Sequence, residues 1–163
     1  MDNKLFEWGS EPKENDKGKF IAVKVKNAKE VYDWYINQGI EVIPEDELHC
    51  TIAYSKKDFE YTLSKEDIYI PESSSKLEKL GDAGAIVLKI YSQELQDRFN
   101  RCINAGATYD YPSYKPHITI SYSEVDNLEN IKQPDFDIIL GDEYTNELEE
   151  DWKKKLEEKM EDK

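Results

Sequence analysis

Apolar and polar residues alternate over Phe20–Lys26 (FIAVKVK), the period of a strand that buries one face. The period then lengthens. Over NAKEVYDWYINQG, Val31, Trp34, Tyr35 and Gln38 recur at helical spacing, with Asn27 as the expected N-cap and Gly39 as the stop. A strand period returns in ELHCTIAYS, and again, after a polar stretch, in SKLEKLGD (Ser75–Asp82). The same order of elements follows a second time. GAIVLKIYS (Gly84–Ser92) predicts a strand, and SQELQDRFNRCINAG predicts a helix capped by Ser92 and stopped by Gly106. Its apolar stripe is Leu95, Phe99, Cys102 and Ile103. KPHITISYS and FDIILGDEY (Phe136–Tyr144) predict two more strands.

Each half therefore reads strand, helix ending in glycine, strand containing His-x-Thr, and strand ending Leu-Gly-Asp. This pattern predicts an α+β fold built from a duplicated unit, each lobe an antiparallel sheet with a packed helix and a central groove between the lobes. Residues 1–145 are expected to form that bilobal domain, with lobes at about 20–82 and 84–145 related by a pseudo-twofold. Two segments stand outside the repeat. Asp58–Pro71 with Glu72–Ser74 is polar and lacks a clear period, which marks a loop or a lid. Residues 146–163 place Leu148, Trp152, Leu156 and Met160 four apart amid charges, which predicts an amphipathic helix.

The two matching strands hold the only histidines of the chain, His49 and His117, and each has a threonine two places on, Thr51 and Thr119. A lone histidine on a strand is usually a hydrogen-bonded bystander. Threonine, however, occupies only 5 of 163 positions. Random placement would put one two residues after both histidines in about one chain in a thousand. Strand alternation places His49, Thr51, Ala53 and Ser55 on one face and Cys50, Ile52 and Tyr54 on the other. In the second motif it groups His117, Thr119, Ser121 and Ser123 against Ile118, Ile120 and Tyr122. The helices cover the apolar faces, so the polar faces are left for chemistry. Two histidines flanking one phosphate take a proton from a nucleophilic hydroxyl and give one to the leaving oxygen. The threonine hydroxyls reach the non-bridging oxygens.

Composition narrows the substrate. The formal charge is −14, with 36 acidic against 22 basic residues, which disfavours a long nucleic acid that needs a basic face. A small anionic ligand needs only a few local donors. Cys50 and Cys102 form no CxxC pair, and neighbouring His49 and Cys50 point apart on a strand. No metal site and no cofactor are expected. No apolar run is long enough to span a bilayer, and no basic-then-apolar leader follows Met1, so no membrane partner and a cytoplasmic location are expected.

Paired His-x-Thr strands in a duplicated α/β lobe resemble the 2H phosphoesterase superfamily, over about Phe20 to Tyr144. The runs LHCTIAYSKK, AGATYDYPSYKPHITISYS and GDEY are similar to the phage anti-CBASS phosphodiesterases, which degrade cyclic oligonucleotide signals of a bacterial immune system. The resemblance implies metal-independent hydrolysis of 3′–5′ linkages in cyclic di- or trinucleotides, through attack by the adjacent 2′-hydroxyl, in a host bacterial cytoplasm. It implies catalytic roles for His49, Thr51, His117 and Thr119. For substrate binding it points to Phe20 as a base-stacking aromatic and Glu143 as a reader of a base edge. Lys115, held extended by Pro116, is placed to meet a phosphate, and Tyr111, crowded with Tyr109 and Tyr114 before the second motif, to stack a base. The family's lid tryptophans are absent from 58–83, where Tyr61 and Tyr69 are the available aromatics. Two other readings stay open: a 2H enzyme acting on 2′–5′ oligoadenylates or RNA 2′,3′-cyclic phosphate ends, and a module that sequesters nucleotides without cleaving them.

Overall fold

The computed structural model describes residues 18–80, 84–111, 113–125 and 127–147. Its strands are β1 (Lys19–Val25), β2 (His49–Ser55), β3 (Ile68–Ile70), β4 (Ser75–Leu80), β5 (Ala85–Ile90), β6 (His117–Ser121) and β7 (Ile138–Glu147). They form one antiparallel sheet in the order β3-β7-β1-β2-β6-β5-β4. The α-helices are α1 (Ala28–Ile36) and α2 (Gln93–Asn104). One apolar cluster joins Val31 and Tyr35 of α1 and Leu95 and Cys102 of α2 to inward side chains such as Val23, Ile52, Leu88, Ile118 and Leu140. Both helices therefore cover the same face of the sheet.

Strand pairing crosses the two halves of the sequence at both ends of the sheet. β4, from the first half of the chain, pairs with β5 of the second, and β7, from the second half, pairs with β1 of the first. The spatial halves thus do not coincide with lobes 20–82 and 84–145. The cause is local. Leu80 lies opposite Ala85, so β4 and β5 form a hairpin, and strands close in sequence pair most readily. The last strand then takes the open edge of β1. The halves meet at β2–β6, where a single ladder pair, Cys50 opposite Ile118, joins them.

Local signals held with instructive exceptions. Ser92 caps α2, its Oγ accepting from the Leu95 amide at 3.2 Å, a contact worth about 1 kcal/mol. Gly39 takes a positive φ of 84° beyond α1, where side chains are disfavoured. Asn27 occupies the N-cap position but does not cap with its side chain. Its carboxamide instead continues the sheet, Oδ1 accepting from Ile139 N at 3.0 Å and Nδ2 donating to Asp137 O at 2.9 Å. On α2 the buried row includes Arg98, which lies outside the apolar stripe, while Phe99 is only half-buried.

The segment expected as loop or lid contains β3, where Ile68 and Ile70 are buried around an exposed Tyr69, and three residues are too few for a period to be read. The rest is tied to the body. Lys19 pairs with Asp58 at 3.0 Å, Lys26 with Asp67 at 3.1 Å, and Arg98 Nη2 donates to Glu66 O at 3.3 Å. At the other end, Asn146 and Glu147 close β7 rather than open a helix, and the amphipathic helix expected beyond them lies outside the described residues. Among the described residues no helix is long and apolar enough to cross a membrane.

Candidate active site

Antiparallel register builds the site. With Cys50 opposite Ile118, one step either side sets His49 across from Thr119 and Thr51 across from His117. The four motif side chains form a square on the face away from the helices, with the histidines on one diagonal. Such diagonal neighbours stand about 7–8 Å apart, room for one phosphate between two imidazoles. All four are partly exposed, whereas their strand neighbours Cys50, Ile52, Ile118 and Ile120 are fully buried.

Plain alternation breaks directly after each threonine. Ala22 pairs with Thr51 and Ile21 with Ala53, so Ile52 is an extra residue in β2; Val87 pairs with Thr119 and Ile86 with Ser121, so Ile120 is its counterpart in β6. Each bulge reverses the facing of the residues beyond it. Ala53 and Ser55 turn to the buried side rather than sharing the histidine face, and Tyr54 joins Phe20, Ala22 and Tyr144 in a small cluster on that face. Ser121 likewise turns inward and donates to Glu41 O. The bulges thus leave one His and one Thr from each motif strand side by side on the face away from the helices.

Both histidines are oriented by the same device. His49 Nδ1 lies 2.7 Å from Glu47 O, and His117 Nδ1 lies 2.9 Å from Lys115 O. A carbonyl only accepts, so Nδ1 carries the hydrogen, and in the neutral ring Nε2 carries the lone pair. Pro116 keeps Lys115 extended, which aims that carbonyl at the ring two residues on. Lys115 thus contributes through its backbone, and its side chain is exposed. Below the site, Tyr114, stacked on Phe99 at 4.6 Å, donates from its hydroxyl to Thr51 O at 2.7 Å and fixes the threonine backbone.

Phe20 lies on the histidine face, its ring edge-on to His49 with centroids 5.9 Å apart. Its 7 % exposure makes it more a wall for His49 than an open stacking platform. The equivalent residue of the other half is Ala85, which supplies no such wall for His117. Tyr111 is the outer member of an aromatic row, 5.6 Å from Tyr109, and is 71 % exposed.

Glu143 requires a correction. Alternation from Gly141 would set it on the histidine face, but Asp142 adopts a φ of 58° and is an extra residue between Gly141, opposite Lys24, and Glu143, opposite Val23. The bulge turns Glu143 to the helix side. There it accepts from Arg98 Nη1 at 2.8 Å, Tyr61 Oη at 3.1 Å and Ser64 N at 2.6 Å. Its side chain is 0 % exposed and that of Arg98 1 %. Glu143 is a buried tether, not a member of the square.

Two residues of the face were not singled out from the sequence. Lys24 lies directly opposite His49, and Lys89 directly opposite His117. The repeat itself held the signal, because FIAVKVK and AIVLKIY align with these lysines in the same place. Burial pushes the Cys50 and Cys102 thiols up to about 12, so neither is a nucleophile near neutral pH. Among the described residues no group of three His, Cys, Asp or Glu is placed to hold a metal ion.

The family model described as Anti-CBASS protein Acb1 matches residues 17–155. A protein of that description from Caulobacter sp. (strain RHG1) is 33% identical over 149 residues, covering 85% of this chain. The chain spans about a quarter of that relative's length (24%). One from Acinetobacter phage Ac42 is 32% identical over 145 residues, covering 85% of this chain and 95% of its own. One from Enterobacteria phage T4 is 34% identical over 112 residues, 68% of this chain and 72% of its own. Among solved structures, Escherichia coli LigT complexed with NADP+ superposes with a TM-score of 0.54 at 14% identity, over 82% of this chain and 95% of that one. A crystal structure described as a phosphoesterase gives 0.51 at 13% identity, over 82% and 96%.

Proposed function

The chain belongs to the Acb1 family of anti-CBASS proteins and has the 2H phosphoesterase fold, and from that premise we propose that it is a metal-independent phosphodiesterase opening the 3′–5′ linkages of cyclic di- or trinucleotide immune signals. The observation that carries this reading is the square of partly exposed His49, Thr51, His117 and Thr119 on the face of the sheet away from the helices. Its place of action is the host bacterial cytoplasm.

In the reaction, one histidine accepts the proton of the 2′-hydroxyl as that oxygen bonds to the adjacent phosphorus. The other, charged, protonates the 5′-oxygen as its bond to phosphorus breaks. The ring opens to a 2′,3′-cyclic phosphate. Water then attacks the same phosphorus with the proton roles reversed. Thr51 and Thr119 donate to the non-bridging oxygens as charge develops. The Nδ1 anchors to Glu47 O and Lys115 O hold both rings so that Nε2 performs each transfer. With both proton transfers supplied by protein, no step needs a metal.

Incubation with cyclic di- and trinucleotides, 2′–5′ oligoadenylate and RNA bearing a 2′,3′-cyclic end, all in excess EDTA, tests the reading. The expected result is opening of the cyclic oligonucleotides at a rate EDTA does not change. Activity lost to EDTA and restored by a divalent ion would refute metal independence; a preference for RNA ends would move the substrate.

A second test concerns the nucleophile. An all-2′-deoxy ring should bind with nearly unchanged affinity yet resist cleavage, because the tethered hydroxyl is what makes the attack intramolecular. Chromatography of the deoxy ring after prolonged incubation checks this, and efficient cleavage would exclude the 2′-hydroxyl mechanism.

A further inference from the structure

The approximate twofold that exchanges the motif strands about Cys50–Ile118 also exchanges Lys24 and Lys89, each the direct cross-strand partner of one histidine. Their surroundings match as well. Lys24 Nζ lies 5.7 Å from the centroid of the Tyr144 ring, and Lys89 Nζ lies 5.6 Å from that of Tyr91. An ammonium over a ring face keeps its stem laid along the sheet beside the histidines.

Their charges are left largely uncompensated. Lys19, Lys26, Lys29 and Lys56 each meet an aspartate at 2.8–3.3 Å. Among the described residues, Lys24 has no carboxylate within 4.0 Å, and Lys89 meets Glu78 only at that limit. In a chain of net charge −14, acidic partners are plentiful. Two lysines in the same relation to the two histidines, each over an aromatic ring, form a built feature of the face.

We infer that Lys24 and Lys89 are a matched pair of anion-binding positions, one on each side of the histidine diagonal, each holding a phosphate oxygen of the ligand. They are positioning residues that hold the ligand while the histidines carry the protons. The strands that carry them are the first and fourth of four neighbours, about 14 Å apart at the backbone. That span favours a ligand with phosphates beyond the one being cut. The inference rests on the phosphodiesterase reading for what lies between the lysines, but its own claim is about binding.

The test is calorimetric binding of the all-2′-deoxy cyclic dinucleotide, and of inorganic tripolyphosphate as a base-free probe, to wild type and to Lys24→Met, Lys89→Met, Lys24→Arg and Lys89→Arg. Each methionine variant is expected to weaken binding of both probes about tenfold. It should also flatten the salt dependence of Kd, which arginine largely retains. Urea midpoints equal to wild type exclude a folding effect. Methionine variants that bind both probes like wild type, or wild type that binds neither, overturn the inference. Cleavage of the ribose ring by wild type is scored separately. Cleavage with lysine-independent binding sinks the inference alone, and lysine-dependent binding without cleavage sinks the phosphodiesterase reading alone.

Discussion

Replacing either His49 or His117 with alanine is expected to lower kcat on a cyclic oligoribonucleotide by about 10²–10⁴ while leaving ligand affinity within a few-fold. Each ring is oriented by a hydrogen bond to a carbonyl two residues earlier, and both side chains are only partly buried. Truncation therefore removes a proton carrier without opening a core cavity. The double variant should be little worse than either single one, because an acid without its base no longer works as a unit. Single-turnover rates at saturating ligand, alongside urea midpoints, make the comparison. A single variant that retains activity within a few-fold of wild type, with its fold intact, would end the two-histidine account.

Glu143→Ala is expected to cost about 3–5 kcal/mol of stability, since it strands the Arg98 guanidinium in the core. Arg98 keeps Glu94 at 2.8 Å, whose side chain is 46% exposed, and the Glu66 carbonyl at 3.3 Å, but no buried carboxylate, and the hydroxyl of Tyr61 and the amide of Ser64 lose their acceptor. Replacing the pair together, Arg98→Met with Glu143→Leu, should recover part of the loss, because no buried charge is then left alone. Urea denaturation with an unchanged m-value is the measurement. A Glu143→Ala protein of wild-type stability that has lost its ligand would return Glu143 to the binding residues and contradict the buried placement.

Strand and helix periods, the two glycine stops, the Ser92 cap and the pair of His-x-Thr strands were legible because each rests on local chemistry. What escaped reading was non-local. The bulges at Ile52, Ile120 and Asp142 insert single residues whose only trace is a change of face, and they reverse the placement of Ala53, Ser121 and Glu143. Arg98 reads as an outward charge on α2 until the sheet supplies a carboxylate opposite it. Asn27 has a helix to cap, and the strand β7, far along the chain, takes its carboxamide instead. The exchange of β4 and β7 between halves was hidden for the same reason: the repeat fixes the kinds of elements, while hairpin proximity decides who pairs with whom.

A ring with its own twofold axis would dock on this face in two indistinguishable orientations. That doubles the number of productive encounters, a statistical gain of RT ln 2, about 0.4 kcal/mol. A ring carrying two different bases loses this degeneracy. One orientation sets a given base toward Phe20 beside His49, the other toward Ala85, and each presents a different linkage to the histidines. Preference between the two bonds then belongs to neither histidine; it is the free-energy difference across one mismatched pair of side chains, and the ratio of the first-cut linear products measures it directly.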